Sequence, residues 1–434
     1  MARIKLESGL PNASKFMNQV LRGSSYTFPT AMADLIDNCI EAMATEVYID
    51  VDLEEMTVIV SDNGLGMSDA IHAESMRVAS ETRDYESDDL GKFGTGMKAA
   101  SLSQANRLVV GTRDEVRKPL TVRCLDMEHI AQTNDWDKLT LVLEEEDLPE
   151  KALARMKGHS GTVVVWQNLD RVFQSNSLSA TAAKEQLRKQ LSATEEHVGM
   201  VFHRFLQGSI PGRKALSIYL NDQAVIPWDP FVLSEPKPTE VKSGPEIQVG
   251  TESIKLTSYI LPGEKEFSSK IAFKDAGGPS KWLNSQGFWV YRNNRLIKGG
   301  GWLKIRSSEE HVKLARIALD FPSSLDELLK INVAKSYVEL PLPIRKELEP
   351  FVTAVSSRAR KRYADQSRLF SLSTGALPSR GLGGANVVQR KMTARALAEL
   401  LGKVAVATNL QKELDLLAAA VREQNAQAAD EVGW

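Results

Sequence analysis

A short acidic segment, DLIDNCIEA at residues 34–42, carries the first side chains that could do chemistry. Helical spacing places Asp34, Asp37, Asn38 and Glu41 on one stripe, closely flanked by apolar residues. Asp34 and Asn38 are four residues apart and share a helix face. A carboxylate can orient a water molecule, and an amide oxygen can bind Mg²⁺. A solvated helix surface has the same pattern, so this segment alone leaves both interpretations open.

A second segment, SDNGLGM at residues 61–67, follows a strand pattern. Gly64 and Gly66 would let the backbone turn tightly and approach a ligand closely. Asp62 could accept a hydrogen bond from an amine. An ordinary turn explains the same residues, because Asp-Asn-Gly is a strong turn sequence.

A third segment, GKFGTGMK at residues 91–98, runs from three glycines into a predicted helix, where free N–H groups and the helix dipole favour an anion. It resembles a P-loop only in part, because Met97 stands where that motif needs lysine and neither Ser nor Thr follows Lys98. A fourth segment, SGTVVVWQNL at residues 160–169, opens with Thr162, which by itself is typical of any strand.

Particular elements must position these segments. A helix is predicted at residues 29–44 and another at 94–104, and residues 63–92 are predicted to form a long loop. Strands are predicted at 47–53, 56–62, 107–112, 120–124, 139–144 and 162–166. We therefore expect residues 1–170 to form a sheet with helices on one face.

The sequence pattern in the second half of the chain predicts a separate unit. Residues 177–207 have helical periodicity, a short helix is predicted at 323–331 and a charged helix at 343–366. Strands are predicted at 215–220, 254–261, 287–297 and 314–321. Residues 371–386 are rich in Gly, Ser and Pro, which is typical of a linker, and one or two amphipathic helices follow at 389–426.

The composition limits the class of protein. A length of 434 residues suits two or three domains, and a net charge of -2 gives the whole chain no general affinity for nucleic acid. Both cysteines, Cys39 and Cys124, lie in apolar segments, which favours a reducing compartment. Without a Cys-x-x-Cys pair the sequence argues against zinc. Because no apolar run approaches the roughly 18 residues of a membrane helix, we expect a cytoplasmic protein with no membrane partner.

In this order and at these separations, the four segments resemble the four boxes of the GHKL ATPases, the group that includes gyrase B, heat-shock chaperones, histidine kinases and MutL. DLIDNCIEA resembles the N box, DNGLGM the Asp-x-Gly-x-Gly box, GKFGTGMK the second glycine box and GTVVVW the final Gly-Thr strand. The resemblance covers residues 25–170. Within the group the likeness is closest to the Microrchidia (MORC) ATPases and their prokaryotic relatives, on GKFGTGMKAAS, EEHVGMVFHRFL (195–206) and GFWVYRNNRLI (287–297).

The resemblance implies a site for ATP and Mg²⁺. Asn38 would bind Mg²⁺, and Asp62 would bind the adenine amino group with help from Thr162. Residues 68–93 would form a lid. Three residues would shape the adenine pocket: Gly64, Gly66 and Met67. Eight residues would wrap the triphosphate: Gly91, Lys92, Phe93, Gly94, Thr95, Gly96, Met97 and Lys98.

One residue departs from the group. Where its members usually have Glu as the water-activating base, this chain has Asp34. Aspartate is one methylene shorter, which sets the carboxylate about 1.5 Å further back. Since a 1 Å misplacement can cost about 10²-fold in rate, either hydrolysis is slow or the helix lies closer to the phosphate. Asp37 and Glu41 share the stripe, but the spacing to Asn38 favours Asp34 as the base.

A second catalytic candidate lies in LKINVAKSYVELP, residues 329–341, which resembles the transducer loop that sends a lysine to the γ-phosphate. By that match the lysine is Lys335, and it would couple the presence of the γ-phosphate to the angle between two domains. A solvated lysine at a strand end is the alternative. The basic turn YRNNRLIKGGGW at residues 291–302 could be structural or a contact surface.

The resemblance implies an α+β fold. A Bergerat-type α/β sandwich ATPase domain would precede a transducer domain of ribosomal-protein-like βαβ topology and a helical C-terminal tail. The predicted parts are an ATP-binding domain at 1–175, a helical connector at 176–212, a transducer-like domain at 213–366, a linker at 367–388 and a helical segment at 389–434.

The implied function is a homodimeric clamp or switch gated by ATP, which hydrolyses ATP slowly and acts on DNA in genome defence or silencing. Action on DNA would place the protein at the nucleoid or in the nucleus. A basic run supports DNA weakly, since such runs are usually solvated: Arg358, Arg360, Lys361, Arg362 and Arg368. The alternatives are an ATP-sensing, non-catalytic subunit of a larger complex and a heat-shock-type remodeller. The C-terminal helices could dimerise or bind a partner protein.

Overall fold

A computed structural model describes residues 11–78, 96–172, 179–332, 335, 337–374 and 411–424. The chain divides into two compact units, Met1–Gln366 and Ser367–Trp434. The first unit contains two β-sheets with their helices. No helix in the described ranges has the length and apolar character needed to cross a membrane.

The first sheet has eight strands. In chain order they are β1 (Glu46–Asp52), β2 (Thr57–Asp62), β3 (Arg107–Arg113), β4 (Thr121–Asp126), β5 (Thr140–Leu143), β6 (Gly161–Gln167), β7 (Ser217–Leu220) and β8 (Gln223–Ala224). Their order in the sheet is β5-β4-β3-β6-β2-β1-β7-β8. All neighbours are antiparallel except β1 and β7, which are parallel.

The helices around this sheet are α1 (Ala13–Phe16), α2 (Phe28–Glu41), α3 (Asp69–Met76), α4 (Gly96–Leu102), α5 (Met127–Thr133), α6 (Glu150–Arg155), α7 (Ala180–Val201) and α8 (His203–Leu206). The start of α2 is fixed by a capping box, in which Thr27 and Thr30 bond to each other's backbone N–H. Its end follows from Met43, whose φ of 59° is incompatible with a continuing helix.

Both faces of the first sheet are buried, because successive side chains of a strand point to opposite sides. Val58 and Val60 pack into the core that contains α2, α4 and α7, whereas Ile59 packs into a second core with Ala152 of α6. The expectation of helices on one face only is therefore wrong. The six-residue α6 escaped prediction because it buries only Ala152.

Two further predictions in the first half need correction. The expected loop at residues 63–92 contains α3, which Ser68 caps and which buries only His72 and Met76. So short a helix with two buried positions leaves little periodicity to detect. The strand predicted at 215–220 exists as β7, but it pairs with β1 in the first sheet instead of opening the second, although it lies within the range 213–366.

The second sheet has five strands: β9 (Glu240–Val249), β10 (Glu252–Ile260), β11 (Gly287–Arg292), β12 (Arg295–Gly299) and β13 (Ala315–Phe321). Their order is β12-β11-β13-β10-β9. The helices of this part are α9 (Lys270–Ala276), α10 (Lys281–Ser285) and α11 (Leu342–Thr374). Leu348, Val352 and Val355 of α11 pack into the apolar core of the sheet.

The single strand predicted at 287–297 is a hairpin. Asn293 and Asn294 have φ angles of 46° and 69°, which is the conformation of a two-residue hairpin turn. Three other expectations also differ from the structure. Residues 323–331 begin with a 3₁₀ turn at Ser323–Leu325 instead of a helix, and β9 was not expected. Helix α11 extends into the predicted linker, to Thr374.

Beyond the end of α11, the second unit contains one described helix, α12 (Gln411–Gln424), within the predicted helical range 389–426. The remainder of that range and residues 375–388 of the predicted linker lie outside the described residues.

Candidate active site

The acidic stripe of α2 is buried. Asp34 is 2% exposed and Asp37 is fully buried, while Asn38 and Glu41 are half-buried. Charged side chains are almost never buried to this extent without partners. The interpretation as a solvated helix surface is therefore wrong for both aspartates, and the groups that neutralise them define the site.

Both carboxylate oxygens of Asp34 are occupied. Oδ1 accepts a hydrogen bond from Lys335 Nζ at 2.8 Å, and Oδ2 accepts one from the Tyr26 hydroxyl. Burial and the charge of Asp34 raise the pKa of Tyr26 well above its usual value, so the phenol stays protonated and donates. Gly96, the first residue of α4, is also adjacent: a Cβ placed there would lie 3.4 Å from Oδ2.

Lys335 reaches α2 from a position 301 residues later in the chain. It is 7% exposed, and its Nζ lies 2.8 Å from Asp34 Oδ1 and 2.8 Å from Asp37 Oδ2. The interpretation as a solvated lysine at a strand end is wrong. The structure thus brings the two predicted catalytic residues, Asp34 and Lys335, into direct contact.

Asp37 has a second cation. Arg295, which is 2% exposed, donates from Nε to both carboxylate oxygens at 2.9 Å. Burial alone would raise the pKa of Asp37, but Arg295 and Lys335 hold that pKa below its usual value. His197 lies near the pair, and burial together with the charge of Arg295 lowers its pKa to about 4, so it is neutral at pH 7. Two carboxylates and two cations leave the cluster without net charge.

Asp62 is buried in a different environment. It is 5% exposed and accepts hydrogen bonds from the Gly64 N–H at 2.8 Å, the Cys39 thiol and the Thr162 N–H. Burial raises the pKa of Asp62 to about 6, and the three donors offset only part of this effect. A buried carboxylate with neutral donors is suited to accept a hydrogen bond from an uncharged amine, such as the amino group of adenine.

The glycines beside Asp62 are sterically required. Gly66 has a φ of 65°, and a Cβ placed there would lie 1.9 Å from the Arg113 carbonyl oxygen. A Cβ on Gly64 would lie 2.5 Å from the Ala42 carbonyl oxygen, at the end of α2. Both glycines therefore let the chain after β2 run against neighbouring backbone.

Thr112 joins the remaining predicted adenine residues. Its hydroxyl oxygen accepts from the Met67 N–H at 3.0 Å and lies 3.0 Å from the hydroxyl of Thr162. It also donates to the Gly161 carbonyl at 2.9 Å. The hydroxyl of Thr112 thus joins the segment after β2 to the start of β6.

The second glycine segment is only partly described. Gly91, Lys92, Phe93, Gly94 and Thr95 lie outside the described residues. Met97 packs half-buried against the core. Lys98 is 2% exposed and donates from Nζ to the Ser75 carbonyl at 2.5 Å, and burial lowers the pKa of this lysine to about 8. In this structure Lys98 ties α4 to α3.

Asn38 fits a role as a metal ligand. Among the described residues nothing bonds to its side-chain amide, although this amide lies one helical turn from Asp34 on α2. Within the same ranges no three acidic, histidine or cysteine side chains group into a metal site. A divalent ion at Asn38 would therefore depend on phosphate oxygens for its other ligands, as Mg²⁺ commonly does.

Sequence analysis predicted no individual site role for Tyr26, Arg295 or Thr112. Tyr26 lies directly before the cap of α2, where no periodic pattern marks it. Arg295 had a usable signal: Asn-Asn between two apolar runs indicates a hairpin turn, which places Arg292 and Arg295 opposite each other. Nothing in the sequence indicated that Arg295 would contact α2.

Comparison with known proteins gives a match for the part of the chain that forms most of the first sheet. Residues 26–162 match the family model described as histidine kinase-, DNA gyrase B-, and HSP90-like ATPase. The match supports a GHKL-type ATPase domain that binds ATP. It includes Asp34, Asn38, Asp62 and Thr162 and leaves Lys335 and Arg295 outside. No curated protein matches the chain. The nearer relation to Microrchidia ATPases stays a prediction.

Proposed function

We propose that this protein is an Mg²⁺-dependent ATPase in which ATP changes how the second sheet is held against α2. The observation that carries this proposal is the contact of Lys335, from the second half of the chain, with Asp34 and Asp37 on α2. A lysine at this position can exchange its carboxylate partners for a terminal phosphate. Presence or loss of the γ-phosphate would then change the connection between the two parts.

Each residue has a defined task in this proposal. Asp62 accepts the adenine amino group, and Asn38 offers its amide oxygen to Mg²⁺. Bound Mg²⁺ supplies charge neutralisation at the phosphates. Asp34 orients the attacking water and accepts its proton, and Lys335 binds the γ-phosphate. Gly96 lies beside Asp34, and this supports a triphosphate loop that would end next to the proposed base.

The resting geometry supports slow turnover. Lys335 and Tyr26 each donate to one oxygen of Asp34, so a water molecule would compete with them for this carboxylate. Movement of Lys335 to the γ-phosphate would free Oδ1. It would also remove the cation that lies 2.8 Å from this carboxylate oxygen.

The same geometry favours a second candidate, an ATP-sensing subunit without turnover. The aspartate is shorter than the usual glutamate, and Tyr26 donates to Oδ2, the oxygen that Lys335 does not contact. A carboxylate held in this way could serve only as a partner for Lys335. The protein would then report ATP binding without hydrolysis.

The client and the assembly are proposed from the family resemblance alone. We propose an ATP-dependent homodimeric clamp of Microrchidia type that acts on DNA. The basic run gives this no further support, because three of its arginines are paired: Arg358 with Glu240, Arg360 with Glu309 and Arg362 with Glu266. Light scattering with and without ATP, and retention of circular DNA by the ATP-bound protein, test the two parts separately.

The central experiment measures Mg-ATP binding by calorimetry and phosphate release for the wild type, Asp34→Asn and Asn38→Ala. Glu41→Gln, on the same stripe, is the control. We expect slow hydrolysis by the wild type, binding without turnover by Asp34→Asn, and loss of Mg²⁺-dependent binding by Asn38→Ala. Binding without turnover by the wild type would establish the sensor instead. Absence of nucleotide binding would refute both.

A further inference from the structure

Arg295 makes two kinds of contact at once. Its Nε donates to both oxygens of Asp37 at 2.9 Å, and its Nη1 donates to the backbone carbonyl of Lys335 at 3.2 Å. The guanidinium therefore bonds to a side chain of α2 and to the backbone of the residue whose ammonium contacts α2. No side chain other than Arg295 makes both contacts among the described residues.

These contacts determine where Lys335 can place its ammonium group. The Lys335 backbone has a φ of 47°, an unusual conformation for a residue with a side chain. A conformation of this kind persists when its surroundings hold it in place. Arg295 holds the carbonyl of this residue, while Asp34 and Asp37 hold the Nζ. The lysine is thus fixed at both ends, and one of its supports is an arginine on β12.

The rigidity of Arg295 comes from its hairpin. The Asn293–Asn294 turn sets Arg292 and Arg295 opposite each other in the β11–β12 register. The ring of Phe202 lies 5.9 Å from the Arg295 guanidinium. A planar guanidinium can serve a carboxylate and a carbonyl simultaneously from fixed N–H groups, whereas an ammonium on a flexible stem cannot reproduce that geometry.

We propose that Arg295 is the positioning residue for Lys335, holding the lysine against α2 at the distance from which it engages the terminal phosphate. This inference rests on the proposed function, because it assigns a partner to the γ-phosphate lysine. Arg295 acts through Lys335 and Asp37 and does not itself touch the nucleotide. Its loss should therefore affect interactions of the γ-phosphate and spare those of adenine.

The chain offers a matched control on the same hairpin. Arg292 is 1% exposed and pairs with Asp326, with Nε–Oδ1 at 2.7 Å and Nη2–Oδ2 at 2.8 Å. This pair is as buried as that of Arg295 and Asp37, but both its residues belong to the second sheet and the turn after it. Arg292→Lys and Arg295→Lys therefore make the same chemical change in two buried ion pairs. Only the pair of Arg295 includes a residue of α2, Asp37.

The first measurement compares the dissociation constants of ATP and ADP for the wild type and both variants, with kcat and KM for ATP. For Arg295→Lys we expect the preference for ATP over ADP to fall about tenfold and kcat to fall similarly, since small misplacements carry costs of this order. The affinity for ADP should stay within about twofold. Arg292→Lys should keep the wild-type preference. Equal changes in the two variants would overturn the proposal.

The second measurement needs no nucleotide, so it separates failure of this inference from failure of the proposed function. Hydrogen exchange is followed at residues 337–340, where the Glu339 N–H bonds to the Leu329 carbonyl at 2.9 Å. We expect faster exchange in Arg295→Lys than in Arg292→Lys, relative to the wild type. Asp37→Asn, which keeps the Arg295 bond to the Lys335 carbonyl, should give an intermediate rate. Unchanged exchange in Arg295→Lys would overturn the positioning role, whatever the nucleotide results.

Discussion

Three buried carboxylates occupy the two ends of the candidate site, and they are held in opposite ways. Asp34 and Asp37, at the proposed phosphate end, contact Lys335, and Asp37 also contacts Arg295. Asp62, at the proposed adenine end, accepts only from neutral donors. The cations at the proposed phosphate end come from beyond the first sheet, whereas the donors to Asp62 belong to α2, β6 and the turn after β2.

The difference shows what each end can do. A carboxylate balanced by side-chain cations can release a cation to a better anion, so the proposed phosphate end would respond to the charge of its ligand. A carboxylate held by backbone N–H groups and a thiol has no such exchange available. The proposed adenine end would therefore recognise a base without transmitting its presence to the second sheet.

The largest expected effect is that of Lys335→Met. Removing one partner from a buried ion cluster leaves uncompensated charge, and we expect the free energy of unfolding to fall by about 3 kcal/mol, the lower part of the usual range because Tyr26 and Arg295 remain. Urea denaturation measures this. The control is Lys330→Met on the same segment, which removes an exposed pair with Glu339 and should cost about 1 kcal/mol or less. Equal costs would show that the phosphate end does not depend on its lysine.

Gly66→Ala should cost nearly as much at the adenine end. A positive φ costs an L-residue about 1–2 kcal/mol, and the collision with the Arg113 carbonyl adds about 1–3 kcal/mol. Gly158→Ala shares the positive φ, 89°, but its Cβ would meet nothing within 4 Å. Thermal unfolding of both variants separates backbone strain from collision. A Gly66→Ala variant no less stable than Gly158→Ala would contradict the close packing beside Asp62.

The two ends should respond to pH with opposite signs. Because the folded-state pKa of Asp62 is raised from 3.8 to about 6, its stabilising contribution is complete below pH 3.8 and is lost as the pH rises through about 6. The pKa of Asp37 is lowered, so its contribution is present above pH 3.8 and is lost only as the pH falls through that lower value.

Denaturation of the wild type and Asp62→Asn between pH 4 and pH 7 tests this expectation. The wild type should gain up to about 3 kcal/mol over the variant as the pH falls. The difference between the wild type and Asp37→Asn should stay flat from pH 5 to pH 7. Three buried histidines with pKa values lowered to about 4 are present in every variant: His72, His197 and His203. Because the charge of Asp37 raises the pKa of His197, the comparison with Asp37→Asn is made only from pH 5 to pH 7, above that pKa. Parallel pH profiles for Asp62→Asn and Asp37→Asn would refute the contrast.

The smallest expected effects are on the affinities for ATP and ADP. Asp62→Asn removes one hydrogen bond to a charged acceptor and should weaken ATP and ADP equally, by about 10- to 100-fold. Lys335→Met should weaken ATP alone. Competition binding with a fluorescent nucleotide measures both. An effect of Asp62→Asn confined to ATP would place adenine elsewhere.

Local sequence signals predicted which residues belong to the candidate site better than they predicted which residues contact them. The turn after β2, the cap and apolar face of α2, and the entry to α4 all depend on short segments, and the sequence contains their determinants. The contacts of Asp37 with Arg295 and of Asp34 with Lys335 span 258 and 301 residues. Spacing on α2 identified the acidic residues, but nothing local specifies the cation that will meet them.

The same limit explains the errors in the fold. Antiparallel neighbours such as β1 and β2 are joined by a short turn and were found as a hairpin. Strand β7 has the alternation of an ordinary edge strand, and the pattern does not say which sheet it joins. Helix α3 buries two side chains and α6 buries one. Their hydrophobic periodicity is therefore too weak to predict them, although both pack against the first sheet.

The parallel pairing of β1 with β7 also has a consequence for synthesis. β1 ends at Asp52, but its second partner is complete only at Leu220, so one side of β1 keeps unpaired N–H and C=O groups until this later strand leaves the ribosome. An exposed strand edge of this kind is a template for pairing with other chains. We therefore expect a nascent chain halted before β7, or a fragment ending at residue 175, to depend on chaperones or to aggregate.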